Sequence, residues 1–179
     1  RMVALRLEAE LPHAVEDSAW VCERQAAQNG DPGKVLVVAA TKAALSNAEE
    51  ELKQHTLHVS AIEFEVASLA ELGHAQAAPD ESVAIALIKP EAASLVIVEA
   101  GQLHYMRHID VANSETSTLA SQLGQSLFDH ALRSSGNPPT RLLLSGAVNT
   151  ELATALATHL DMPVEGAGLP QVFDSLETP

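Results

Sequence analysis

Cysteine and aromatic residues are scarce in this chain of 179 residues. Cys22 is the single cysteine, and aromatic residues make up 3% of the sequence. One thiol cannot form an internal disulfide, which is the usage found in proteins of a reducing compartment. Because Cys22 lies close to Trp20, the only tryptophan, we expect it to fill buried space rather than to act as a reactive thiol.

Positive charge is also scarce. The chain has 10 Lys and Arg residues against 24 Asp and Glu residues, and its net charge is −14. Affinity for nucleic acid comes mainly from Lys and Arg side chains that neutralise phosphates, so we expect no nucleic-acid partner. Attraction to anionic lipid is disfavoured for the same reason.

Long apolar runs are missing as well. No stretch approaches the ~18 apolar residues that a membrane-spanning helix needs. The start of the chain also lacks the basic segment and apolar core of a secretory signal. We therefore expect no direct membrane insertion. Because the chain begins with Arg1 rather than Met, we expect that an N-terminal portion precedes it.

The usual motifs of catalysis and metal binding are absent from the sequence. We find no Walker A, G-x-G-x-x-G or G-x-S-x-G pattern. Among the eight histidines, His55 and His58 form one close pair, and His104 and His108 form another. Neither pair has a cysteine or a carboxylate at a recognised ligand spacing. The sequence therefore predicts no metal site and no catalytic residue.

The first half of the chain alternates short helical and strand-like patterns. A turn-rich segment at residues 77–81 then marks a predicted boundary between subdomains. A continuous apolar run bounded by a turn indicates a strand buried on both faces, and Thr41 is a predicted helix cap. The predicted elements are a helix at 2–11, strands at 18–24 and 34–40, the capped helix, a strand at 57–63 and a helix at 66–76.

The second half has an asymmetric order of elements. We predict three strands at 82–89, 94–99 and 102–109, a long helix, a strand at 141–145, a helix from Asn149, and a short strand at 162–164. Leu119, Leu123, Leu127 and Ala131 recur every four residues and should face the sheet. Three hairpin-linked strands followed by αβαβ form a mixed sheet in βββαβαβ order. That is the order of a ribonuclease-H-like half.

This order and the apolar texture resemble the PilM-like branch of the actin-like ATPases, which are related to FtsA and the cytoplasmic domain of GspL. The resemblance implies a partial actin-like ATPase fold. Residues 1–78 would be an insertion-type subdomain with its return helix, and residues 79–179 a ribonuclease-H-like lobe. The first lobe's opening hairpin, with the first phosphate loop, would lie outside this chain.

The resemblance also implies a second phosphate loop between the first two strands of the lobe. In the family an Asp holds metal-bound water there, and a Gly lets the backbone approach phosphate. This chain has neither, and Pro90 removes a backbone donor. Lys89 and Ser94 remain as candidate phosphate ligands, and Glu91 is a candidate replacement for the Asp. The simpler interpretation of Lys89 and Glu91 is a solvated hairpin.

The family's adenosine-binding turn follows a strand and carries two glycines. Ser145, Gly146 and Ala147 stand at the matching place, so one glycine is kept. Close packing at a strand-to-helix turn also requires a small residue, and this is the alternative interpretation of Gly146.

We therefore predict a catalytically silent actin-like scaffold of a bacterial type IV pilus or type II secretion apparatus. The resemblance implies a cytoplasmic location, peripheral to the inner membrane, and a partner whose short cytoplasmic segment docks in a groove between subdomains. No cofactor is expected, and ATP with magnesium would bind only if the altered site still works. Leu5 or Leu7 is predicted to stay partly exposed beside the groove.

Two enzymes are the alternatives to this scaffold. One is a nucleotide-binding ATPase or sugar-kinase-like fragment, which should keep an acidic residue and a glycine within residues 89–94. The other is a nuclease of the ribonuclease-H type, which needs clustered carboxylates on its first strand. Residues 83–88 contain none, which argues against the nuclease.

Overall fold

A computed structural model describes residues 2–24, 35–111, 115–133 and 137–167. The chain divides into two compact units, Arg1–Phe64 and Glu65–Pro179. The predicted boundary at 77–81 lies after the helix Glu65–Gln76, whereas the units divide before it. The reason is that Leu69 of this helix is buried against Val83 and Ile85 of the following strand. The division into domains 1–78 and 79–179 stays a prediction.

The described part of the first unit contains two α-helices, a short 3-10 helix (Val15–Asp17) and a two-stranded sheet. Its elements are α1 (Met2–Glu10), β1 (Ser18–Arg24), β2 (Val35–Thr41) and α2 (Lys42–Gln54). The strands are antiparallel, with Ser18 opposite Thr41 and Arg24 opposite Val35. The Thr41 hydroxyl accepts a hydrogen bond from the Ala44 N–H at 3.1 Å, which confirms the predicted cap. The turn predicted before the strand at 34–40 lies outside the described residues.

Three expectations for the first unit are wrong. Strand β2 is half-buried rather than buried on both faces, since it pairs with β1 in a sheet of only two strands. No strand forms over residues 57–63, because a β-like pattern forms a strand only where another strand is there to pair with it. Cys22 is exposed, because the two-stranded sheet leaves this part of β1 uncovered.

The second unit is built on a five-stranded mixed sheet. Its elements are α3 (Glu65–Gln76), β3 (Ser82–Ile88), β4 (Ala92–Glu99), β5 (Gln102–Asp110), α4 (Thr116–Arg133), β6 (Arg141–Gly146), α5 (Thr150–His159) and β7 (Val164–Gly166). The strand order is β5-β4-β3-β6-β7. Strands β3, β4 and β5 are joined as antiparallel hairpins, while β3–β6 and β6–β7 are parallel pairs. The predicted βββαβαβ order is confirmed, with β7 two residues later than expected.

Helices cover both faces of this sheet. Leu119, Leu123 and Leu127 of α4 lie in the core cluster of one face together with residues of α5, and Leu69 of α3 lies in the cluster of the other. Ala131, which was expected to continue the stripe, is exposed near the end of α4. No helix within the described ranges is long and apolar enough to cross a membrane.

Candidate functional site

A polar cluster lies at the end of β3, on the face of the sheet that α3 covers. Lys89 follows the last residue of β3, Ser94 lies on β4, and His108 of β5 stands opposite Ser94 in the strand register. Glu65 is the first residue of α3. The fold therefore brings one carboxylate to three side chains of the β3–β4–β5 meander.

The two oxygens of the Glu65 carboxylate have different partners. Oε2 accepts from Lys89 Nζ at 2.6 Å, and Oε1 accepts from the Ser94 hydroxyl at 2.5 Å. His108 Nδ1 lies 3.4 Å from the same hydroxyl. Partial burial raises the pKa of Glu65, but the hydrogen bonds from Lys89 and Ser94 and the positive charge of Lys89 outweigh it. The net effect lowers the pKa of Glu65 below its ordinary value.

This cluster includes two of the predicted phosphate-loop residues. Lys89 and Ser94 are brought together by Glu65, and Ser94 is only 3% exposed. Glu91 does not join them: its side chain is exposed, and its carbonyl oxygen accepts from the Val111 N–H at 3.0 Å. The loop therefore presents its side-chain donors to a carboxylate of the same chain.

The predicted adenosine-binding turn meets the end of the same strand. Gly146 has φ +85°, and a Cβ atom there would lie 2.2 Å from the carbonyl oxygen of Ile88. The Ala147 N–H donates to that same oxygen at 2.8 Å. Ser145 is half-buried at the end of β6. Close packing against β3 is thus sufficient to require glycine at residue 146, without any ligand.

Glu65 is the important residue that sequence reasoning missed. It lies 24 residues before Lys89 and 29 before Ser94, at the start of an ordinary surface helix. No local pattern marks it, because its partners are supplied by the packing of α3 on the sheet. His108 was considered as half of a possible metal pair with His104, not as a neighbour of Ser94.

A second ionic cluster lies at the N-terminal ends of β3 and β6, away from the Glu65 cluster. Arg141 bonds Glu81 at 3.0 Å and Glu165 at 3.1 Å, and its Nη2 donates to the Gln76 carbonyl oxygen at 2.7 Å. The Ala78 N–H, the Thr140 hydroxyl and then Arg141 lower the pKa of Glu81 to about 2. Hydrogen bonding to Glu81 in turn raises the pKa of Arg141. These groups satisfy one another and fix the start of the sheet.

An apolar groove of about 530 Å³ runs beside α4 and the end of α5. Phe128, Pro138, Leu160 and Met162 are among its lining residues, and Phe128 is largely exposed. Within the described ranges, no group of three His, Cys, Asp or Glu side chains could hold a metal ion.

No protein-family model matches this chain, and no curated protein matches it by sequence. Solved structures do. The chain is similar to one in a "PilM-PilN type IV pilus biogenesis complex", with a TM-score of 0.77 and 16% identity over 96% of this chain and 62% of that one. It is also similar to a Bacteroides thetaiotaomicron protein described as having an actin-like ATPase fold and unknown function, with a TM-score of 0.56 and 14% identity over 92% of this chain and 60% of that one.

The chain spans about three-fifths of the length of either protein. Sequence identities of 16% and 14% show a similar fold and nothing more. The similarity covers nearly all of this chain, including the elements on whose order the predicted resemblance rests. The chain therefore has an actin-like ATPase fold.

Proposed function

We propose that this chain is a catalytically silent scaffold of a bacterial type IV pilus or type II secretion apparatus. It works at the cytoplasmic face of the inner membrane and binds a short cytoplasmic segment of an inner-membrane partner. The observation that carries the proposal is that the donors of the phosphate-loop position, Lys89 and Ser94, are already bonded to Glu65.

Catalytic silence is supported by what the two turns lack. The loop at residues 89–94 contains neither the Asp nor the Gly that a magnesium-nucleotide site of this kind uses. A nucleotide phosphate would have to displace the Glu65 carboxylate from an ion pair and a hydrogen bond, and the exposed Glu91 would add repulsion. At the other turn, the Ala147 N–H donates to the Ile88 carbonyl oxygen and is therefore not available to a ligand.

Partner binding is supported by the likeness to a chain of the PilM-PilN complex and by the surface of the first unit. The following large apolar residues of that unit are exposed among those described: Trp20, Val21, Val35, Leu52, Leu57 and Ile62. Contiguous exposed apolar surface marks interaction sites, and Val21, at 65% exposed, is the most exposed of these residues. The prediction that Leu7 stays partly exposed is wrong, because its side chain is buried at 9% exposure. The side chain of Leu5 lies outside the described residues.

Calorimetric titration with ATP and magnesium tests the silent site. We expect no binding in the low micromolar range, because Glu65 competes for the same donors. A dissociation constant of about 1 µM, which corresponds to about −8 kcal/mol, would contradict the proposal and favour a nucleotide-binding enzyme.

A peptide test addresses the partner. The cytoplasmic segment of a PilN-like protein, fluorescently labelled, is titrated with the wild-type chain and with Val21→Asp, which places a charge on the exposed apolar surface. We expect the variant to lose at least ~2 kcal/mol of affinity, about 30-fold. The control is Ala157→Asp on the exposed side of α5, which should bind like the wild type. Equal affinities for wild type and Val21→Asp would exclude this surface.

A further inference from the structure

The Glu65 cluster has the composition of an anion-binding site. Lys89 supplies one formal positive charge and Ser94 a hydroxyl to a single carboxylate, and a ring nitrogen of His108 lies beside that hydroxyl. Each carboxylate oxygen is held by a separate donor. Charge-assisted hydrogen bonds of this type are the strong ones, so the donors are arranged for an anion with two oxygens.

Solvent can reach the cluster. The side chains of Glu65 and Lys89 are 35% and 41% exposed, while Ser94 lies buried beneath them. A small anion could therefore enter beside Lys89 if the Glu65 side chain were shortened. Removing the carboxylate would leave Lys89 without its ion-pair partner, and the buried Ser94 hydroxyl would keep only the longer contact with His108 Nδ1 at 3.4 Å. Such a loss of hydrogen bonds is costly.

We propose that Lys89, Ser94 and His108 form a carboxylate-binding site and that Glu65 of the same chain is its resident ligand. The contact is autoinhibitory: Glu65 keeps external carboxylates and phosphates out and ties the start of α3 to the β3–β4 hairpin. A free carboxylate, or one on a partner's Asp or Glu side chain, binds only when Glu65 is withdrawn. The proposal does not depend on the identity of any pilus partner.

Chemical rescue tests the assignment. Glu65→Ala removes the resident carboxylate, and we expect its melting temperature to fall by several degrees. Sodium formate, compared with sodium chloride at equal ionic strength, should then raise the melting temperature in proportion to the logarithm of its concentration. The wild-type protein should show no such difference between the two salts. An equal response of wild type and Glu65→Ala would overturn the proposal.

Two variants control for the site. Glu65→Gln fills the same volume without the charge, so formate should have no effect on it. Glu65→Ala combined with Lys89→Met lacks the cation, so the formate response should disappear, and a response that survives would contradict the site. Sodium phosphate is the third arm. Rescue by phosphate without rescue by formate would show a tetrahedral-anion site and overturn the carboxylate assignment.

Lysine labelling keeps the proposal testable if Glu65→Ala does not fold. Lys89 acetylation by an activated ester can be followed by mass spectrometry in the wild type and in Glu65→Gln. We expect the rate to rise several-fold in the variant, because the ion pair that occupies the Lys89 amine is gone. Lys53 serves as an internal reference outside the cluster. Equal Lys89 rates in the two proteins would mean that Glu65 does not occupy the site.

Discussion

The two units of this chain use the same kinds of elements but cover them differently. In the second unit, β3 and β4 are almost entirely buried because helices pack on both faces of a five-stranded sheet. In the first unit, β2 is half-buried at best and α2 has no buried residue. A two-stranded sheet is only marginally stable by itself. The second unit therefore holds nearly all of the described buried core, while more of the described large apolar residues that are exposed lie in the first unit.

The largest effect is expected from emptying the core of the second unit. Ile85 is fully buried, and Ile85→Ala should cost about 2–5 kcal/mol because it leaves a cavity. Val21→Ala, in the exposed part of β1, should change stability by less than about 0.5 kcal/mol. Urea unfolding measures both.

Trp20, the only tryptophan, lies in the first unit and provides a separate probe. If the two units unfold separately, Ile85→Ala should shift the far-ultraviolet circular dichroism transition more than the Trp20 fluorescence transition. Identical shifts with both probes would show that the two units unfold as one.

The next largest effect is expected at the turn after β6. Gly146→Ala should cost at least about 2 kcal/mol, because the left-handed backbone is strained for alanine and the new Cβ would collide with the Ile88 carbonyl. Gly166→Ala is the matched control in the neighbouring strand, where a Cβ meets nothing within 4 Å. Chemical denaturation of both variants should separate them clearly, and a stable Gly146→Ala protein would show that the turn can rearrange.

A smaller, pH-dependent effect is expected at the start of the sheet. The pKa of Glu81 is lowered from about 4.5 to about 2, so its ionised form stabilises the folded state above the ordinary pKa. This contribution is lost as the pH falls from about 4.5 to about 2. Glu81→Gln should be about 1 kcal/mol less stable than the wild type at pH 7, since the group lies near the surface.

The pH dependence is the sharper part of this measurement. The difference between wild type and Glu81→Gln should shrink steadily between pH 5 and pH 2, as the wild-type carboxylate becomes protonated. Glu71→Gln, on the exposed side of α3, removes the same charge and serves as the control. A stability difference that is constant with pH would contradict the assigned role of Glu81.

The smallest effects are expected from removing a helix N-cap, a feature that both units have. Asn149 caps α5 by accepting from the Leu152 N–H at 2.7 Å, and Thr41 caps α2 by accepting from the Ala44 N–H at 3.1 Å. Asn149→Ala should cost about 1 kcal/mol and Thr41→Ala about 0.5 kcal/mol. The Asn149 bond is partly buried, whereas that of Thr41 is exposed. Thermal unfolding of the two variants measures both losses of stability. A larger loss for Thr41→Ala than for Asn149→Ala would contradict this prediction.

Much of the second unit could be predicted because its local signals and its packing agree. Continuous apolar runs predict β3, β4 and β6, and these strands are buried on both faces. The first unit was predicted less well, since the run at residues 34–40 has the same texture but no cover on both faces. The segment 57–63 shows the limit: its pattern suits a strand, yet a strand exists only where another strand pairs with it.

The amino-acid sequence by itself determined the order of the elements in the second unit, the cap at Thr41, and the absence of an Asp and a Gly between Leu87 and Ser94. These depend on neighbouring residues, whose spacing fixes the local hydrogen bonds. Only the tertiary structure decided that Glu65 occupies the donors of Lys89 and Ser94, and that Gly146 is required by the Ile88 carbonyl. Both are contacts between segments far apart in the chain, and they arise only when α3 and β6 pack beside β3.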